Sequence, residues 1–221
     1  MDSILMSDFN KGLLNIKSEV QKLINKNTKV TIIPWSFAQE LETKNINEFF
    51  NEKRRNKYLN PLLEMGLDEK NVSILDCYNH ETDEMIERIK KSDILILTGG
   101  NPEMFYKKVM ETKILDVLKE YKNTIIGVSA GAELQLKKYF ITKKNNYYKK
   151  FAFYDGFGII DNNFYFDVHS VNRGCYLKSL KEKSIKYKKD IYCLFENGVI
   201  IYNRQNKRIK TYGEVMVFDK Y

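Results

Sequence analysis

Apolar residues fall along this chain in bursts of two kinds. Ser3-Ile4-Leu5-Met6, Lys29-Val30-Thr31-Ile32-Ile33-Pro34, Asn71-Val72-Ser73-Ile74-Leu75, Asp93-Ile94-Leu95-Ile96-Leu97 and Thr124-Ile125-Ile126 are compact runs of strand length. Between them apolar positions recur at helical spacing: Leu13, Leu14, Ile16, Val20, Leu23 and Ile24, then Thr82 to Lys90, then Glu103 to Tyr121 with one break. Asn45 to Met65 is also helical in pattern, with Asn47-Glu48 near its start. Pro61 begins a second piece there, because an interior proline removes a helix hydrogen bond. Residues 94–97 are continuously apolar, as a strand covered on both faces is. Strands alternating with helices predict an α/β fold, a mostly parallel sheet flanked by helices on both faces. No linker, repeat or low-complexity stretch divides it, so one domain over residues 1–221 is expected.

After Leu136 the pattern changes. Lys143 to Lys150 is rich in lysine and asparagine and reads as a mobile surface loop. Gly156-Phe157-Gly158-Ile159-Ile160, Phe164 to Val168, Ile191 to Phe195, Val199 to Tyr202 and Glu214 to Phe218 read as short strands, with Glu196-Asn197-Gly198 as a hairpin turn.

Composition narrows the class. Hydrophobic residues are 43% of the chain, too many for a disordered protein, and no apolar run is long enough to span a membrane. The N-terminus lacks a signal pattern, which points to the cytoplasm. Cys77, Cys175 and Cys193 are an odd set at unrelated spacings and read as reduced thiols. Cys77 and His80 have a ligand-like spacing, but no second pair completes a zinc site, so no metal or cofactor is expected. A formal charge of +8 attracts acidic partners weakly and without specificity, and no motif makes nucleic acid the partner.

The chemistry gathers at Gly127-Val128-Ser129-Ala130-Gly131, a G-x-S-x-G between an apolar strand and Ala132-Glu133-Leu134-Gln135-Leu136, which restarts at helical spacing. A strand that stops at a serine and turns at once into a helix is a nucleophile elbow. Its small neighbours suit a strained backbone, and the hydroxyl would stand at the sheet edge over a helix N-terminus. The bland alternative is a glycine-rich turn that packs well. Serine needs a base, and only two histidines exist. His80 lies in a polar turn and reads as exposed, whereas His169 ends a predicted strand and could reach Ser129. Glu196, also at a strand end, and Asp167, two residues before His169, are both possible partners for the imidazole. Ala130 would supply one oxyanion amide, and Gly99-Gly100 the natural second.

With these pieces the sequence resembles the peptidase E and cyanophycinase family of serine peptidases, which has a class I glutamine amidotransferase-like fold, a flavodoxin-like three-layer sandwich. The matching segments are Leu97-Thr98-Gly99-Gly100-Asn101-Pro102, Gly127 to Ala132, Gly156 to Ile160, Asp167-Val168-His169-Ser170-Val171-Asn172-Arg173-Gly174 and Phe195-Glu196-Asn197-Gly198. The resemblance implies Ser129 as nucleophile, His169 as base, and oxyanion donors at Gly100 and Ala130. It places Asn101 and Arg173 at the substrate. Family members carry an acid after the elbow helix or a glutamate near the C-terminus. Residues 137–154 hold no Asp or Glu here, so Glu196 is favoured. Ser170 stands where the family often has phenylalanine, and Cys175 where a second arginine is common.

The family cleaves small peptides next to aspartate, and Arg173 would pair bidentately with a substrate carboxylate. The expectation is therefore a dipeptidase acting through an acyl-enzyme on a small acidic peptide, as monomer or homodimer, with neither nucleic acid nor membrane as partner. The competing class is a repurposed, non-catalytic domain that binds a small ligand or a protein.

Overall fold

In the computed structural model the described residues are 2–143, 148–161 and 163–221. Part of the loop expected between Lys143 and Lys150 therefore lies outside them. Seven strands form the main sheet: β1 (Asp2–Met6), β2 (Val30–Ile33), β3 (Val72–Ile74), β4 (Ile94–Leu97), β5 (Thr124–Val128), β10 (Val199–Asn203) and β11 (Ile209–Tyr212). Between β5 and β10 the chain forms β6 (Lys138–Ile141), β7 (Ala152–Asp155), β8 (Phe164–Asp167) and β9 (Asp190–Leu194), and after β11 comes β12 (Val215–Phe218). The main sheet runs in the order β11-β10-β1-β5-β4-β2-β3. Its first five strands in the chain are parallel, and β10 and β11 add an antiparallel edge. β2 and β4 are buried along their whole length, as their unbroken apolar runs require when helices cover both faces.

The helices follow the sequence pattern with breaks that have local causes. Asp8 caps Phe9–Asn15 by accepting the Lys11 amide, and a second short helix covers Lys17–Gln21. Asn101 caps Pro102–Glu111 in the same way, and proline opens that helix where its missing N–H costs nothing. The break before Leu115–Glu120 falls at Lys113, whose φ of 56° is left-handed. The segment from Asn45 to Met65 is more broken than its periodicity predicts: Ile46–Phe49, Glu52–Arg54, a π-helical turn over Arg55–Leu59, and Asn60–Leu63 opened by Pro61.

Three sequence expectations need correction after β5. Gly156–Ile160 is not a strand. Its backbone lies along residues 134–137, with Phe157 N–H bonded to the Leu134 carbonyl and Ile160 N–H to that of Gln135, and one isolated bridge joins Leu136 to Ile160. Gly158 takes a φ of 71°, which breaks the pleat. The real strands there are β6 and β7, an antiparallel pair. The helix after Ser129 is only Ala130–Glu133, too short to project a macrodipole. Glu196 and Asn197 do turn, with Gly198 N–H on the Phe195 carbonyl, but β9 and β10 are not a hairpin. β9 belongs to a second sheet, order β12-β9-β8, while β10 pairs with β1.

In that second sheet β8 and β9 are parallel, joined by the helix Gly174–Tyr187. A β-helix-β crossover brings both strand ends to the same edge. Most buried apolar residues belong to one cluster spanning the main sheet and its helices. A smaller aromatic cluster lies beneath the second sheet, around Phe140, Leu180, Ile191 and Cys193.

Candidate active site

Loops leaving the carboxyl ends of four neighbouring parallel strands meet at one edge of the main sheet: Ser7 after β1, Ser36 after β2, Gly99-Gly100 after β4 and Ser129 after β5. This is where open α/β sheets place ligands. Ser129 has φ 49° and ψ −114°, a conformation that strains any residue with a Cβ. It is held by its amide, which donates to the Met6 carbonyl at 2.8 Å across β1. The neighbouring glycines are required by crowding. A Cβ on Gly131 would sit 2.2 Å from the Leu97 carbonyl oxygen, and one on Gly127 would sit 2.4 Å from the Gly131 carbonyl. Backbone cannot yield as a side-chain tip can, so Gly131→Ala should destabilise the fold by about 3 kcal/mol or more. Denaturant unfolding checks this, and a loss under about 1 kcal/mol would show that the elbow has slack.

The second sheet contributes from the other side. Asp167 at the end of β8 pairs with Cys193 in β9, so the residues just beyond, His169 and Glu196, emerge together. His169 is left-handed at φ 53°, and its amide donates to Ser7 Oγ at 2.9 Å. Ser7 in turn donates to the Leu194 carbonyl at 3.0 Å, which also receives the Ser170 amide. Ser7 thus ties the β8 loop, the end of β9 and the end of β1 together.

The side chains then form one line. Ser129 Oγ lies 3.0 Å from His169 Nε2, and His169 Nδ1 lies 2.6 Å from Glu196 Oε1. Lys11 Nζ approaches the other carboxylate oxygen of Glu196 at 3.6 Å. Asp167, the alternative partner, is fully buried and its carboxylate accepts hydrogen bonds from Ser170, Thr142 and Tyr176. The backbone N–H groups of Gly100 and Ala130 have no hydrogen-bond partner among the described residues. Such an arrangement can move a proton from a serine hydroxyl to an imidazole and receive negative charge on two amides.

Two cavities share His169. The first, about 560 Å³, is lined by Ser7, Tyr58, Gly99, Gly100, Ser129 and by Lys53, Arg54 and Lys57. Arg54 pairs with Glu40 at 2.8 Å and lies over the rings of Phe37 and Phe49, which holds the Glu40 carboxyl below its usual range. Lys57 pairs with Asp8 at 3.2 Å. Burial pushes the Tyr58 hydroxyl up to about 12, so it stays protonated at neutral pH. The second cavity, about 700 Å³, is lined by Arg173, Lys143, Lys150 and Lys183 with Thr142, Tyr176 and Ser179, and among the described residues no carboxylate is in its walls.

Other sequence candidates are held by neighbouring groups of their own. Asn101 Oδ1 is occupied as a helix cap, accepting the Met104 amide, so it builds the start of a helix. His80 is half-buried where exposure was expected, because its Nδ1 accepts the Asp76 amide. Burial and the Arg88 charge hold its imidazole below the usual histidine range. Cys77 is pushed up to about 12 by burial. Among the described residues no group of three or more His, Cys, Asp or Glu is placed to hold a metal. None of the described helices is long and apolar enough to cross a membrane. Sequence reasoning missed Ser7, Lys11, Ser36 and Tyr58. The one available signal was position: Ser7 follows a central parallel strand directly, where side chains face the ligand edge.

Known proteins give this geometry a context. No curated protein matches the chain. Among solved structures, a candidate peptidase E protein from Listeria monocytogenes EGD-e is similar at 21% identity and a TM-score of 0.64, covering 95% of this chain and 96% of the other. A peptidase from an acI-B1 Actinobacterium is similar at 16% identity and a TM-score of 0.68, covering 100% and 91%. At these identities the likeness is one of fold. The model of peptidase family S51 matches residues 4–210, nearly the whole chain, and with it every residue of the Ser129 edge. The chain therefore belongs to peptidase family S51, the peptidase E family of serine peptidases.

Proposed function

We propose that this peptidase hydrolyses short peptides next to an N-terminal aspartate, through an acyl-enzyme on Ser129. The observation that carries the mechanism is the unbroken Ser129–His169–Glu196 line at 3.0 and 2.6 Å, beside two amides without a partner among the described residues. Ser129 Oγ attacks the peptide carbonyl as its proton passes to His169 Nε2. The carbonyl oxygen becomes an anion received by the Gly100 and Ala130 N–H groups, and Glu196 steadies the imidazolium. Collapse breaks the C–N bond, His169 gives its proton to the departing amine, and an ester remains on Ser129. Water, deprotonated by His169, then releases the acid and restores the serine.

Substrate class rests on charge. Among the described residues the cavity with Arg173 is lined by four cationic side chains and no carboxylate, which favours a bound side-chain carboxylate. Arg173 can take it through two parallel N–H groups, which lysine cannot. Because His169 lines both cavities, a short acidic peptide can lie across the relay with one arm in each.

The test compares kcat/KM for Asp-first, Asn-first and Leu-first dipeptides in the parent, Arg173→Lys and Arg173→Ala. Arg173→Ala should lose about 100-fold or more on the Asp-first peptide and little on the others, and Arg173→Lys should recover part of the loss. A uniform loss on all three would show that Arg173 supports the fold and does not read the carboxylate.

A further inference from the structure

The turn that carries Gly100 is held in a way the reaction does not by itself demand. Ser36, buried in the short turn after β2, donates its hydroxyl proton to the Gly99 carbonyl at 2.6 Å. Its oxygen lies 2.9 Å from Thr98 Oγ1, which can donate to it in turn. The Ser36 carbonyl accepts the Asn101 amide at 3.2 Å, and the Gly99 amide donates to the buried Tyr58 hydroxyl at 3.3 Å. Tyr58 comes from the π-helical turn, a form that recurs at functional sites. Gly99 is thus fixed on both its polar groups and Asn101 on its amide, while the Gly100 amide has no partner among the described residues.

A trans peptide is planar, with C=O and N–H on opposite sides of the C–N bond. Pinning the Gly99 carbonyl on Ser36 therefore turns the Gly100 N–H away from Ser36, and Gly100 lines the cavity shared with Ser129. The alternative is a flipped peptide. Gly100 sits at φ 139°, and a flip would carry it to about −40°, which glycine also accepts. Two adjacent glycines make both orientations accessible, and the flipped one would aim a carbonyl oxygen at developing negative charge. Side-chain bulk does not choose between them, so the hydroxyl of Ser36 must.

We propose that Ser36 is a positioning residue of this peptidase, selecting the peptide orientation in which the Gly100 N–H faces the reacting carbonyl. The proposal rests on the serine-nucleophile reading above and adds the device that keeps its oxyanion donor in place. A fluorophosphonate probe reports on it, because its P=O oxygen takes the place of the oxyanion as Ser129 displaces fluoride. Ser36→Ala should lower the maximal labelling rate of the folded protein about 10- to 100-fold, less than outright loss of an oxyanion donor, with the half-saturating probe concentration near parental and the melting temperature lowered by only a few degrees. If Ser36→Ala does not fold, Ser36→Cys keeps the shape with a weaker donor and should slow labelling several-fold. A parental rate from either folded variant overturns the role of Ser36 alone. A parent that the probe does not label overturns the nucleophile assignment, and this proposal with it.

Discussion

Ser129→Ala should leave a folded protein with neither peptidase activity nor fluorophosphonate labelling. The substitution removes one oxygen whose neighbour is the imidazole 3.0 Å away. Ser129 is only half-buried, so no core cavity forms, and alanine bears the same strain at φ 49° as serine does. The elbow stays fastened by the amide bond to Met6 and by the close fit of Gly131 under Leu97. Loss of a nucleophile in a hydrogen-bonded triad costs about 10⁴- to 10⁶-fold in turnover. Circular dichroism and the melting temperature should match the parent. Retention of parental turnover on any substrate the parent cleaves would move the chemistry away from Ser129.

Glu196→Gln should cost about 100- to 1000-fold in kcat at unchanged stability. The amide keeps the shape of the carboxylate but can present an N–H to His169 Nδ1. That favours the tautomer with the proton on Nε2, which cannot accept from Ser129, and it removes the charge that steadies the imidazolium. The glutamate side chain is 50% exposed and already faces Lys11, so water screens it and the loss falls short of that for a buried triad acid. Asp167→Asn is the informative contrast. That carboxylate is buried and accepts side-chain hydrogen bonds from Thr142, Ser170 and Tyr176, so the amide should lower the melting temperature while folded molecules keep most of their turnover. Parental activity in Glu196→Gln beside a folded but inactive Asp167→Asn would reverse the two assignments.

How far the sequence could be read depended on whether a feature is local. β4 and β5 are legible because buried parallel strands appear as unbroken apolar runs, and G-x-S-x-G carries its own turn chemistry. The approach of Glu196 to His169 is not. Two apolar runs around Glu196-Asn197-Gly198 look like a hairpin, and turn composition does not encode whether the flanking strands pair with each other. Here they join different sheets. Gly156–Ile160 misleads for a related reason: Phe157 and Ile160 are buried as strand residues would be, yet the backbone bonds of that loop go to a short stretch beside the elbow helix. Ser7, Ser36 and Tyr58 leave no trace in composition, because each acts through groups far away along the chain.

The clasp at Ser7 has a consequence for how the molecule comes into being. Its two bonds reach residues 162 and 187 positions away in the chain, and the serine and histidine of the relay are themselves 40 apart on separate sheets. No fragment made early in synthesis contains the assembled relay, and closing such long loops is entropically slow. A chain still emerging from the ribosome, or one caught half-folded, would carry Ser129 without His169 aligned to it. On the proposed mechanism, proteolytic competence would arrive only with these long-range closures.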